Sequence, residues 1–129
     1  MKTNTFINIL IVVFFSIACL AGMALIEHRT NFVHRLYDDV VLDNKNHYLP
    51  CESLPTEGAV RDALAAHQEI IKEIEQINSG NLGVEVDTLT CPGKADLLIW
   101  YASHSNRQAI EQILKEDTFF GIPYRLQNR

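Results

Sequence analysis

The sequence predicts an α+β protein in which a membrane helix and a helical stalk precede a small head of βαββαβ or αββαβ order. Residues 6–26 contain no charged residue, the following stretch has apolar residues at helical spacing, and the remainder mixes helical and strand-like patterns. We divide the chain into an anchor or signal segment at 1–26, a stalk at 27–46 and a head domain at 47–129.

The apolar segment is long enough to cross a membrane. At about 1.5 Å of rise per helical residue it reaches about 31 Å, close to the thickness of a bilayer's hydrocarbon core. It exceeds the ~7–15 apolar residues of a typical signal peptide, which favours a retained anchor. Two other fates remain open. One is cleavage near the small residues Gly22 and Ala24, and the other is lipidation of Cys19, because residues 17–19 resemble part of a lipoprotein box.

The net charge of the chain limits the classes of molecule that it is expected to bind. The 16 acidic residues and 10 of the 11 basic residues all follow residue 26, so this part has a net charge of −6. An acidic surface argues against nucleic acid, whose binding needs Lys and Arg to displace counterions from phosphates. The predicted partners are membrane lipid, through residues 6–26, and another membrane protein or a second copy of this chain. No cofactor is predicted.

Cysteine usage indicates the compartment. Outside the apolar segment the chain has two cysteines, Cys51 and Cys91. A cysteine pair in a small exported domain predicts a disulfide, which exported compartments permit. We therefore expect a single-pass membrane protein whose head is extracytoplasmic, either periplasmic or extracellular. The charges flanking the apolar segment do not fix its orientation, and two reduced thiols in a cytoplasmic head remain the alternative.

The stalk has one apolar stripe at helical spacing. Its members are Phe32, Val33, Leu36, Tyr37, Val40 and Val41. The stalk either continues the membrane helix or forms a second helix that lies along the membrane surface. We expect the head to cover the stripe, and the alternative cover is a partner helix or a second copy of the chain.

The head begins with a loop and a helix. Pro50 and Pro55 exclude a helix interior over 43–55, which leaves room for one short strand at 47–51. Thr56 is a predicted N-cap for a single helix that runs to about residue 79 with one apolar face. Gly80 is then suited to the left-handed position that follows a helix.

Two strands, a helix and a last strand follow. Residues 82–88 alternate in polarity, as in a strand with one wet face, whereas residues 96–102 are apolar throughout, as in a strand buried on both faces. A helix with Ser105 as its cap precedes a last strand at 119–126. Because Pro123 has no amide donor, we expect that strand at an edge of the sheet.

A strand at 47–51 would make the order βαββαβ, which is that of the ferredoxin-like fold. Its crossover makes the first two strands parallel, so both end at the same edge of the sheet. Cys51 and Cys91 would meet at that edge. A disulfide closing a loop of about 40 residues contributes ~4 kcal/mol to stability in the chain-entropy model.

One group of polar residues is suited to binding chemistry. Ser103, His104, Ser105 and Arg107 join the central strand to the helix that follows it. A helix N-terminus with hydroxyls and an arginine can bind an anion, and His104 could act as a base for a neighbouring serine. The alternative is that these residues only cap the helix.

Two further groups have simpler interpretations. His47, Cys51, Glu52 and Cys91 lack the short paired spacings of zinc sites, so we predict no metal centre. An aromatic stretch extends from Phe119 to Tyr124. It belongs to the core if buried and would be a docking surface if exposed.

These observations predict a membrane-anchored accessory or protein-interaction domain. The chain has an anchor, a stalk and a compact head, but no evident catalytic set, so a binding role is favoured over an enzymatic one. The alternative is a small-ligand-binding protein or enzyme with its site near His104 and Arg107. A structural lipoprotein attached through Cys19 is a third hypothesis.

Overall fold

A computed structural model of the chain describes the backbone of residues 2–129 and the side chains of residues 7–129, so Met1 of the predicted anchor lies outside the described residues. The protein is mixed α+β, and the described chain divides into two compact units, up to Leu36 and from Tyr37 onward. Its helices are α1 (Lys2–Thr30), α2 (Phe32–Val40), α3 (Glu57–Ala66), α4 (Gln68–Gln76) and α5 (His104–Leu114). Its strands are β1 (Leu82–Asp87), β2 (Asp96–Tyr101), β3 (Thr118–Phe119) and β4 (Ile122–Asn128).

The first unit is dominated by α1. Its 24 residues from Ile7 to Thr30 are long and apolar enough to cross a membrane, a test that a signal sequence also passes. Asn31 then adopts a left-handed φ of 49° and separates α1 from α2. The Glu27 carboxylate accepts the amide of Val33 at 2.6 Å, which satisfies a free donor at the start of α2. None of the residues of α2 is buried, so the predicted burial of its apolar stripe is not observed.

The predicted long helix of the head is two helices. Thr56 caps α3 as expected, accepting the amide of Ala59 at 3.3 Å. Gly80 has the expected positive φ of 88°, but helix α4 ends earlier, at Gln76, and its C-cap is Ile77. Between α3 and α4, however, His67 leaves the helical conformation, with φ −127° and ψ 37°. Its ring stacks on Phe120, a contact between residues distant in sequence that helical periodicity does not reveal.

The four strands form one sheet in the order β1-β2-β4-β3. Strands β1 and β2 are antiparallel, with Gly83 opposite Trp100 and Asp87 opposite Asp96. Helix α5 is the crossover between β2 and β4, which pair in parallel. The core lies between the sheet and α3, α4 and α5, where Leu97, Ile99 and Tyr101 of β2 are fully buried. The prediction that β2 is buried on both faces is confirmed for most of its length.

The predicted strand at 47–51 does not form, so the ferredoxin-like order is not confirmed. Hydrogen bonds within the segment replace a strand ladder, since the amide of Tyr48 donates to Asn46 and the amide of Leu49 donates to His47. Tyr48 also has a positive φ of 55°. Lys45, which precedes this segment, pairs with β4 through an isolated antiparallel bridge to Leu126. With no strand inserted between them, β2 and β4 pair directly.

The predicted last strand is a hairpin of β3 and β4. Phe120 and Gly121 form its two-residue turn, and both have positive φ, as a type I′ turn requires. The prediction that Pro123 marks an edge strand is wrong, because β4 pairs with both β2 and β3. Pro123 is tolerated because the pairing with β2 begins one residue later, at Tyr124.

The structure contains the predicted disulfide between Cys51 and Cys91, whose Cα atoms are 5.5 Å apart. Cys51 lies in a 3-10 turn that precedes α3, and Cys91 lies in the connection between β1 and β2. Two hydrogen bonds reinforce the link: the amide of Ala95 donates to the Pro55 carbonyl at 3.0 Å, and the Lys94 ammonium donates to the Leu54 carbonyl at 2.8 Å. The cysteines therefore meet as cysteine usage predicted, although the strand that would have brought them to one sheet edge is absent.

Candidate functional site

The structure brings the predicted ligand-binding residues together at the start of α5. Ser103, rather than Ser105, is the N-cap, because its hydroxyl accepts the amide of Asn106 at 3.4 Å. The hydroxyl of Ser105 lies 3.0 Å from that of Ser103. Ser103 therefore satisfies the free amide of Asn106, as the capping alternative predicts, and Ser105 is bonded to Ser103.

Arg107 is enclosed by carboxylates. Its side chain is only 8% exposed and contacts Asp39, Asp43 at 3.1 Å and Glu111 at 3.2 Å. We call these four residues the Arg107 cluster. Burial alone would lower the pKa of Arg107, but the hydrogen bonds to the three carboxylates raise that pKa above its ordinary value. An external anion would have to displace one of these carboxylates to reach the guanidinium.

His104 is also held within the protein. Its Nδ1 lies 2.7 Å from the Asp43 carboxylate, although the imidazole is 65% exposed. The hydroxyl of buried Tyr101 donates to the main-chain carbonyl of Asp43. Burial and the negative charge of Asp43 both raise the pKa of Tyr101, so this hydroxyl keeps its proton. Asp43 thus fixes the loop after α2 onto β2 and α5.

A second cluster lies on the sheet face opposite the helices. Arg125 of β4 binds Asp96 of β2 through two hydrogen bonds, of 2.5 and 3.0 Å, and it also binds Asp87 of β1. His47 accepts the amide of Leu49 at Nδ1, so its Nε2–H donates to Asp96 at 2.7 Å. We call Arg125, Asp87, Asp96 and His47 the Arg125 cluster.

The Arg125 cluster keeps its carboxylates ionised. Burial would raise the pKa of Asp96, but the hydrogen bonds from His47 and Arg125 lower it. Burial would likewise raise the pKa of Asp87, whereas hydrogen bonds from Thr90, from the Leu89 amide and from Arg125 lower it to about 2. The cluster therefore joins three strands electrostatically.

The residues weighed as metal ligands do not converge. Cys51 and Cys91 form the disulfide, and His47 is bonded to Asp96. Among the side chains of residues 7–129, no group of three or more His, Cys, Asp or Glu residues is arranged to hold a metal ion.

The aromatic stretch separates into a buried part and an exposed part. Phe119 is buried, whereas its neighbour Phe120 is 57% exposed at the tip of the hairpin. The Phe120 ring stacks on His67, with centroids 3.4 Å apart and planes 5° apart, and meets Phe119 edge-on. Phe120 also has a left-handed φ of 50°, which is rare for a bulky side chain.

An open groove of about 190 Å³ adjoins Phe120, between α4, α5 and β3. Its apolar lining includes Ile70, Ile113, Leu114 and Phe119. We call Phe120 and this groove the Phe120 surface. A second open groove of about 280 Å³ lies between α3, α4 and β1, beside Leu64, Ile71 and Val84. Both are smaller than the ~300–1,000 Å³ of ordinary small-molecule sites.

No protein-family model, no curated protein and no solved structure matches the chain.

Proposed function

We propose that this chain is a single-pass membrane-anchored accessory protein whose head lies in an extracytoplasmic space and binds a partner protein through the Phe120 surface. Two features support this placement. The helix from Ile7 to Thr30 is suited to a membrane, and the Cys51–Cys91 disulfide is suited to an oxidising compartment. The proposed mode of binding rests on the exposure and the left-handed conformation of Phe120.

The turn does not need a phenylalanine at residue 120. Asparagine and glycine adopt left-handed conformations readily, whereas a bulky residue there costs about 1–3 kcal/mol. Such strain concentrates at functional positions, where a constrained side chain is presented to a ligand. Stacking on His67 holds the ring in one orientation, so little conformational entropy would be lost on docking.

The shape of the groove favours a protein partner. A volume of about 190 Å³ admits part of a partner's apolar side chain and falls short of a pocket that encloses a small molecule. A membrane tether confines the head to the bilayer surface and raises its effective concentration near other membrane proteins. The proposed partner is therefore a membrane protein that places an apolar side chain against Phe120.

The charged residues support this proposal over the ligand-binding alternative. The Arg107 cluster surrounds its single guanidinium with three carboxylates, so an anionic ligand would meet net negative charge. His104, which is more exposed, is bonded to the same Asp43. A small-ligand site at this position would need these contacts to open.

Site-specific photo-crosslinking in native membranes tests the proposal. The full-length chain would carry a photoreactive amino acid in place of Phe120 or, as the matched control, in place of Leu89, which is 92% exposed on the β1–β2 connection. We expect a discrete heavier adduct with a different protein from residue 120 and none from residue 89. Equal crosslinking at both positions, an adduct with a second copy, or no adduct at residue 120 would contradict the proposal.

A further inference from the structure

Helix α2 and Val41 after it expose their apolar side chains to solvent, whereas an ordinary surface helix exposes its polar ones. Its acidic residues face the head, where Asp39 binds Arg107 and Asp38 accepts the hydroxyl of Tyr48. The apolar side chains of Tyr37, Val40 and Val41 are instead all more than half exposed. A helix that packs on a soluble domain normally buries its apolar face and leaves its charges in water.

The exposed stripe extends over the whole of α2. Phe32, Val33 and Leu36 are also more than half exposed. These residues recur at the same helical spacing as Tyr37 and Val40, so they continue one face of the helix. A contiguous exposed apolar face of this kind marks a contact with protein or with membrane.

We propose that α2 is an interfacial helix whose apolar stripe lies in lipid at the boundary between the hydrocarbon core and water. The inference rests on the proposed membrane tether and adds a second lipid contact to it. Continuity along the chain identifies lipid as the occupant, because only Asn31 separates α2 from the end of the apolar helix at Thr30. Helix α2 therefore begins at the depth where the bilayer meets water.

The other residues of this region suit that location. Interfacial helices combine a large apolar face with basic residues at the headgroups, and Arg29 and Arg35 flank the start of α2. Tyr37 is of the aromatic type that is enriched at membrane–water interfaces. The acidic residues Asp38 and Asp39 are bonded to Tyr48 and Arg107 of the head and do not belong to the apolar stripe.

Spin-label accessibility measures the contact directly. The full-length chain, with Cys19→Ser and its disulfide intact, would be placed in vesicles of mixed zwitterionic and anionic lipid. A nitroxide would be attached at Val40→Cys, with Gln112→Cys on the exposed face of α5 as the water control and Val13→Cys as the membrane control. Collisions with molecular oxygen, which concentrates in lipid, and with a water-soluble nickel chelate would be compared.

We expect the label at residue 40 to collide severalfold more with oxygen than with the nickel chelate, as at residue 13, and the label at residue 112 to show the reverse. A water-like label at 40 beside a lipid-like label at 13 would overturn the inference and leave the tether intact. Water-like labels at both 13 and 40 would contradict the tether itself. Protection of residue 40 from both reagents, with spin–spin broadening, would overturn the inference and identify a second copy as the cover.

Discussion

The burial of Arg107 and the exposure of Phe120 are each the opposite of what is usual for a charged and an aromatic side chain. The arginine side chain is 8% exposed and enclosed by carboxylates, whereas the phenylalanine is 57% exposed at a hairpin tip. The same contrast separates the partly buried Arg125 cluster from the exposed stripe of α2. The ion-pair clusters and the disulfide add to the apolar core in stabilising the head, whereas Phe120 and the stripe of α2 are exposed. Changes to the ion-pair clusters or the disulfide should lower the free energy of unfolding, and changes to the exposed apolar residues should lower binding to the partner.

The largest loss of stability is expected from removing the disulfide. Replacing Cys51 and Cys91 by serine releases a loop of 40 residues, which should lower the free energy of unfolding by about 4 kcal/mol. Urea unfolding of the oxidised full-length protein in detergent measures this loss. Cys19→Ser, which removes the free and exposed cysteine, is the control and should leave the midpoint unchanged. Equal midpoints for all three proteins would show that the disulfide contributes nothing to the folded head.

Breaking the Arg125 cluster should have the next largest effect. Arg125→Met leaves Asp87 and Asp96 without their cation, at an expected cost of about 3 kcal/mol. The matched control is Arg61→Met, which removes an exposed pair with Glu57 and should cost under ~1 kcal/mol. Thermal unfolding of the two variants compares them. Similar losses in both variants would contradict a structural role for the Arg125 cluster.

Acid should weaken the same cluster over a defined pH range. The pKa of Asp87 is lowered to about 2 in the folded protein, whereas an unfolded aspartate titrates near ~4. Its contribution is therefore complete above about pH 4 and is lost as the pH falls from ~4 to ~2. Unfolding free energies measured between pH 5 and pH 2 should decline less steeply in Asp87→Asn than in the wild type. The same slope in both proteins would remove Asp87 from this account.

The smallest change in stability is expected at the exposed tip. In Phe120→Asn, relief of the left-handed conformation offsets the lost stacking on His67, so unfolding should shift by no more than ~1 kcal/mol. Recovery of the co-purified partner should nevertheless fall. Leu89→Ser, at another exposed apolar residue, should change neither quantity. Undiminished partner recovery with Phe120→Asn would separate Phe120 from function.

Local signals in the sequence were sufficient for much of the fold. The alternation of 82–88 and the apolar run at 96–102 predicted β1 and β2, Thr56 predicted the start of α3, and the cysteine pair predicted the disulfide. These features depend on neighbouring residues or on a chemistry with few alternatives.

The remaining features depend on contacts between distant residues. Asp39 lies 68 positions from Arg107, so nothing near Arg107 in the sequence indicated that its charge is satisfied within the protein. The break at His67 likewise depends on Phe120, and the missing strand at 47–51 depends on side chains that compete for backbone amides. The positive φ of Phe120 was also unexpected. Turn positions with positive φ are usually occupied by Asn or Gly, so a phenylalanine does not indicate such a turn in the sequence.

The intact mass of the chain, purified from membranes without reductant and alkylated, tests the tethered and oxidised head most directly. We expect a chain that retains residues 6–26 and carries one alkyl group, on Cys19. Two more alkyl groups, on Cys51 and Cys91, should be added only after reduction and denaturation. A chain that begins after residue 26, or three alkylated thiols before reduction, would contradict it.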